Sequence, residues 1–483
     1  SASMSSVEGP APRGWRLLAY ALPAFVVALP TIPVYIHLPS LYGVQLGVGL
    51  ATTGYILLAA RMFDAITDPL VGIFCDRLKF KGLRRKPWIA VGALIAGYGL
   101  YKILNPYAGI TGGYLLIWSL VLYAGWTMVA VPYLAWGAEL STDYHERTRI
   151  TAWREGSGLL GIVGAGVLGA VTVSLGWSEA DSIGAIAWAA ITLGAIVIPL
   201  LLSSLPEGTD RSDRTDDESQ SLADSLRALV RNKPFLRLLS AWFLNGVANG
   251  IPAALFFLYL EHGLGAGEGI RPLFVLSYFV GAIASIPLWL YLSGRLGKHR
   301  AWCWGMIAAS IAFISVLWIE PGNFAVFGIV CVVTGMALGA DLALPPALQA
   351  DVTDYAKLRS GRSQTGLQFA LWGMSTKLAL AAAIGLALPS LEIAGFDPEI
   401  PSETGRQALI VIYALIPVVI KISAIWVVWR FPLTADVQSV IRRRLRRREM
   451  RPTEIRRRRD DGQNQRPNFR SDRSKRVYKH ETK

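Results

Sequence analysis

Apolar residues come in long runs along this chain, at positions 15–38, 46–75, 88–106, 112–140, 155–176, 183–205, 235–259, 272–294, 302–319, 323–350, 364–388 and 407–430. A helix that crosses a hydrocarbon layer needs roughly 20 such residues. A helix is demanded there because lipid offers no partner to backbone N–H and C=O groups. The pattern predicts an all-α membrane protein with twelve transmembrane helices in two bundles of six. The N-terminal bundle is expected over residues 1–205, a central loop over 206–234 and the C-terminal bundle over 235–430. In the loop, SLADSLRALVRNK has the spacing of a short amphipathic surface helix. Composition agrees: 53% of the 483 residues are hydrophobic, more than a soluble enzyme of this length carries.

Lysine and arginine fall in alternate connections. Arg77, Lys79, Lys81, Arg84, Arg85 and Lys86 follow the second run, and Arg147, Arg149 and Arg154 follow the fourth. Arg295, Lys298 and Arg300 follow the eighth, and Lys357, Arg359 and Arg362 follow the tenth, whereas the other connections hold only Arg271 and Arg406. The positive-inside bias then puts both termini and the central loop in the cytoplasm, with a bacterial inner membrane as the expected location. The net charge of +14 resembles a nucleic-acid signal until it is located: residues 431–483 hold eighteen Lys and Arg against seven Asp and Glu. This segment reads as a basic, disordered tail lying near anionic lipid headgroups. It lacks the interleaved aromatics of a stacking platform, so no nucleic acid is expected.

The second run is apolar except for RMFDAITDP. Charge at bilayer depth is costly and marks function by default. Arg61, Asp64 and Asp68 are spaced to share one helix face, and two carboxylates against one guanidinium leave a negative charge for a coupled cation. The bland alternative is a salt bridge that only fixes packing. Cys75, Cys303 and Cys331 show no ligand spacing, so no metal site or disulfide is suggested beyond a possible Na+ at Asp64 and Asp68. No nucleophile–base pair or phosphate loop points to an enzyme, and no cofactor is expected. Trp126, Trp136 and Trp372 lie deep enough to meet a substrate, with packing as the plainer role. His37 and His262 fall at the outer ends of the first and seventh runs, where a surface histidine is the plainer reading.

GIFCDRLKFKGLRRKPW after the second run resembles the loop between helices 2 and 3 of the major facilitator superfamily, and GKHR after the eighth run resembles its reduced echo. RMFDAITDPLVG at 61–72, ELSTDYHERTRIT at 139–151 and ADVTDYAKLRSGRSQTGL at 350–367 together resemble the glycoside-pentoside-hexuronide cation symporters, the melibiose-permease branch. The resemblance implies a major facilitator fold. It also implies a cation site at Asp64 and Asp68 with Thr67 and Thr127, a pairing lysine at Lys377, and Arg154 near the substrate path. Gly72, Asp76, Arg77, Arg84 and Arg85 match the cytoplasmic gate.

The sequence departs from that branch where its sugar would bind. Residues 15–38 hold no acid, and Ala130 stands where the branch has a helix 4 aspartate. Asp341, ahead of Pro345 and Pro346, lies at midplane depth and is a candidate replacement, with satisfaction of backbone amides at the Pro-Pro break as the competing role. Arg61, Trp126, Arg154, Asp341 and Trp372 are the candidate substrate residues. Arg61 and Lys377 against Asp64, Asp68 and Asp341 sum to a net charge of −1, which suits one monovalent cation. The expected function is H+- or Na+-coupled transport of a sugar, glycoside or similar small polar solute by a monomer. A lysolipid or other amphiphile is the alternative, because vertebrate lysophosphatidylcholine symporters of the same broad family keep the helix 2 aspartates and the helix 11 lysine. A non-transporting assembly factor or sensor on this fold is the third reading.

Overall fold

Each apolar run folds as a helix. The computed structural model describes residues 12–77, 83, 85–140, 144–207, 227, 229–360, 365–445 and 447. Among these, all regular elements are helical: α1 Trp15–Gln45, α2 Leu50–Arg77, α3 Lys86–Leu104, α4 Gly112–Glu139, α5 Tyr144–Ser174, α6 Glu179–Ser204, α7 Lys233–Gly263, α8 Arg271–Leu296, α9 Lys298–Trp318, α10 Phe324–Ser360, α11 Thr365–Ile393 and α12 Glu403–Val428. Eleven of them are long and apolar enough to span by those criteria alone. The exception, α2, has 28 residues and so the length to cross, but carries Arg61, Asp64 and Asp68 in its middle.

α1, α5, α6, α3, α4 and α2 pack in succession as one group, and α7 to α12 pack as a second. The groups meet along three seams, α2 on α11, α5 on α8 and α1 on α7. An even number of helices in each group returns both termini and the 204–233 connection to one end of the molecule. We term this the terminal end and the opposite one the far end.

α1 and α7 finish alike at the far end. Leu41–Gln45 and Tyr259–Gly263 are wide turns closed by i to i+5 bonds, Leu46 N–H to the Leu41 carbonyl at 2.9 Å and Leu264 N–H to the Tyr259 carbonyl at 2.8 Å. QLGVG at 45–49 and GLGAG at 263–267 follow these turns, and Gly47 and Gly265 take φ of 71° and 74°, which a side chain would resist. This is a second internal echo, in the helix ends rather than in the basic loops.

The 206–234 loop falls largely outside the described residues. The tail does not begin as disorder. Residues 435–445 are helical and form α13, with Ile441 buried beside Phe431 and Leu433. The Gln438 amide donates to Asp354 at 2.9 Å, and Arg442 lies 3.5 Å from Asp351. Charge count hid an amphipathic start that docks on α10; the residues from 448 onward lie outside the described ones.

Candidate functional site

The charged face of α2 looks into the seam with α11. There the Lys377 ammonium donates to both carboxylates, 3.0 Å to Asp64 Oδ1 and 2.7 Å to Asp68 Oδ2. The Thr127 hydroxyl, from α4, lies 3.1 Å from Asp64 Oδ1 and 3.0 Å from Asp68 Oδ1. With one proton to give, it serves one carboxylate at a time and offers lone pairs as well. Thr67 donates instead to the Asp64 backbone carbonyl at 3.0 Å, within its own helix. The side chains of Asp68 and Lys377 keep 28% and 25% of their surface, against 6% for Asp64. Asp68 is therefore the more accessible of the two carboxylates.

Arg61 is not paired with these acids. Its guanidinium carbon sits 3.7 Å from the Tyr35 ring centroid and 4.8 Å from that of Tyr123. The expected Arg61–carboxylate grouping gives way because Lys377 and Thr127 already occupy the acids, while two tyrosine faces lie within cation–π reach. Trp126 continues this aromatic wall, 6.4 Å from Tyr35 between ring centroids.

A second buried cluster lies inside the C-terminal group. Asp341 accepts from Trp302 Nε1 at 2.6 Å and from Asn249 Nδ2 at 2.8 Å. The Lys421 ammonium, 1% exposed, donates to Asn249 Oδ1 at 2.7 Å and to Asn245 Oδ1 at 2.8 Å. The Asp341 carboxylate is thus held by side chains, not by amides freed at Pro345 and Pro346. Lys421 also corrects the charge count. Arg61, Lys377 and Lys421 now balance Asp64, Asp68 and Asp341, and the net charge at this depth is zero. The signal was in the sequence: VVIKISAIW puts one lysine amid an apolar run. Asn245 and Asn249, one turn apart on α7, gave no signal, since neutral amides occur throughout helices.

Trp372 stacks on Trp242 with centroids 4.7 Å apart, and Trp242 Nε1 donates to Thr376, the neighbour of Lys377, at 2.8 Å. Trp302 lies 6.4 Å from Trp242. These rings connect the two charged clusters. Trp136 is buried and donates to the Pro206 carbonyl at 3.1 Å, a packing role. Arg154 pairs with its neighbour Glu155 at 2.7 Å, toward the terminal end of α5. Among the described residues no ion pair joins it to the α2 acids. Of Gly72, Asp76 and Arg77 only the helical backbone is described, and Arg84 lies outside the described residues. Arg85 is buried and donates to Cys75 Sγ at 3.3 Å, while its backbone N–H donates to Glu207.

The far end is shut. Arg271 at the start of α8 donates to Glu179 at the start of α6 at 2.7 Å, each side chain 9% exposed. His37 lies 3.7 Å from Glu179 and stacks on Phe257 of α7 at 3.9 Å. It is not a surface histidine.

A model of the family described as MFS/sugar transport protein matches residues 19–435. The chain belongs to this family of the major facilitator superfamily. The chain is 23% identical over 422 residues to the sodium-dependent lysophosphatidylcholine symporter 1 of Xenopus tropicalis, covering 79% of this chain and 80% of that one. It is 26% identical over 395 residues to the uncharacterized symporter YjmB of Bacillus subtilis (strain 168), covering 77% and 81%. The crystal structure of a D-xylose-proton symporter superposes with a TM-score of 0.63 at 14% identity, covering 86% of this chain and 97% of that one, which supports the fold. The chain is thus a multi-pass membrane transporter, not an enzyme, and its α2–α11 seam holds the acids and the lysine that the family resemblance pairs.

Proposed function

We propose that this symporter couples one monovalent cation to an amphiphilic substrate of lysolipid type across the bacterial inner membrane, with both termini in the cytoplasm. The observation that carries the coupling is the Lys377 bridge to Asp64 and Asp68, because it ties the two halves together through the very oxygens a cation would use. Carboxylate and hydroxyl oxygens from Asp64, Asp68 and Thr127 are the hard donors that suit Na+. A proton on Asp68 would meet the same charge balance. A cation displaces the ammonium, and the seam loses its ion pair at the moment the site fills. One chain supplies the whole site, so a monomer suffices, and the basic tail meets anionic headgroups on the cytoplasmic face.

The substrate class is supported by an apolar pocket in the C-terminal group, closed on one side by Ile36 of α1. Phe256, Phe279, Phe313, Phe327 and Val330 line it, and Asn249 gives it one polar edge shared with Asp341 and Lys421. An apolar body beside a charged cluster fits an amphiphile, which is the substrate that the Xenopus relative's name carries. A small polar solute is the second reading, favoured by the flat Trp242–Trp372 stack beside Lys377. Purified protein in liposomes decides between them. Lysophosphatidylcholine accumulation driven by an inward Na+ gradient is expected, with a weaker response to a pH gradient. Accumulation of glycosides alone would transfer the conclusion to the second reading, and no gradient-driven flux of either would remove it.

A further inference from the structure

Arg61 is a buried cation without a hydrogen-bonded counter-charge. It is 1% exposed, and its Nε and Nη2 atoms have no hydrogen-bond partner. A desolvated cation–π contact offsets only part of the cost of burying an ion. The shortfall is met at a distance. Asp64, Asp68 and Lys377 together carry one negative charge, and Asp64 sits one helical turn from Arg61 on the same face. The Asp341–Lys421 cluster is neutral in itself and offers nothing further. Once a monovalent cation binds at Asp64 and Asp68, that negative charge is gone and Arg61 is left without compensation.

We propose that Arg61 binds an anionic oxygen group of the substrate, a carboxylate or a phosphate ester, and that the cation at Asp64 and Asp68 sets its affinity for that anion. The two orphaned nitrogens share one edge of the guanidinium. That edge presents parallel N–H groups, the fork that grips a planar oxyanion with two bonds. The ring nearest the guanidinium carbon belongs to Tyr35, which lies in the wide turn Pro33–His37 of α1. Such turns occur often at functional positions, and a shift of this one would move the Tyr35 ring away from Arg61. Trp126 flanks Tyr35. Cation and anion then bind with positive cooperativity, and by linkage each tightens the other by the same factor.

The inference rests on the cation reading of Asp64 and Asp68, so the test measures cation binding by itself. Full-length protein in nanodiscs is titrated with Na+ or protons and followed by tryptophan fluorescence. It is then titrated calorimetrically with octyl glucuronide, octyl phosphate and octyl glucoside, with and without saturating cation. The glucuronide and the glucoside differ essentially in one carboxylate, and the phosphate arm separates the two oxyanion sources. The expected result is at least about a tenfold gain in affinity for one or both anionic probes when cation is present, with the glucoside unchanged, within the usual range of coupling between sites. Arg61→Met abolishes that gain while cation binding persists, and Arg61→Lys keeps part of it. Equal gains for charged and neutral probes, or a cation-dependent anion affinity that survives in Arg61→Met, overturn the proposal. Should Arg61→Met fail to fold, the contrast among the three probes on the wild-type protein decides alone. Absence of any cation response in the wild type would instead remove the cation reading itself.

Discussion

At the scale of single residues, the two charged clusters ask for different tests. Asp64→Asn and Asp68→Asn preserve volume but remove the charge that balances a cation, so each is expected to abolish concentrative uptake while the protein still inserts and folds. Gradient-driven accumulation at the wild-type level in either variant would refute the coupling role. In the second cluster, Lys421→Met leaves Asp341 buried without its compensating charge, a loss of roughly 3–5 kcal/mol where one partner of a buried pair is removed. Lys421→Met combined with Asp341→Asn removes both charges and is expected to recover much of that loss in thermal unfolding. Strictly additive losses would show that the two groups do not sense each other through Asn249. The legibility of these sites differs for a physical reason. Asp64, Asp68, Lys377 and Lys421 are each visible as charge in an apolar run, but partners are not: Arg61 rests on Tyr35 and Tyr123 from other helices, and no spacing along α2 encodes that.

At the scale of helices, hydropathy located the spans well and their ends poorly. α5 starts at Tyr144 and α10 runs to Ser360, about ten residues beyond the apolar stretches in each case, because a helix leaving the lipid needs no apolar side chains. The seam between α2 and α11 was legible only through its charges. Its close packing depends on glycine: a Cβ on Gly54 would lie 2.9 Å from Pro389 Cδ, and one on Gly385 would lie 2.7 Å from Leu58 Cδ2. Both notches sit on the far side of the cation site and join the two halves. Gly385→Leu is therefore expected to disfavour the shut far end more than it destabilises either bundle. Spin labels on the two halves at that end should move apart, with thermal stability lowered only slightly. Unchanged distances together with a large stability loss would make Gly385 a bundle-packing residue instead.

At the scale of the whole molecule, the contacts that close the far end differ in kind from those at the midplane. Glu179 and Arg271 form a buried bidirectional choice: paired when the end is shut, hydrated when it opens. Ala51 N–H donating to Glu392 at 2.6 Å, and His37 stacked on Phe257, reinforce the shut state from the α2–α11 and α1–α7 seams. None of these groups belongs to the proposed cation site, so on that proposal the far end and the midplane are separate locks on one rocking motion. A transporter must be able to release both, and the balance between them sets the resting population. Glu179→Gln removes the 2.7 Å carboxylate partner of the buried Arg271 guanidinium in the shut state and leaves it only Glu261, 3.9 Å away. A penalty of about 3 kcal/mol there corresponds to a shift of roughly a hundredfold in the ratio of shut to open molecules. The measurement is the distance distribution between spin labels introduced at Thr111 and Gly322, on far-end connections of opposite halves. A longer-distance population is expected to dominate in Glu179→Gln and to retreat when Arg271→Gln is added, since the double variant has no stranded charge. If the single variant keeps the wild-type distribution, the far-end pair is not a lock, and the shut state must be held by the apolar seams and the Lys377 bridge alone.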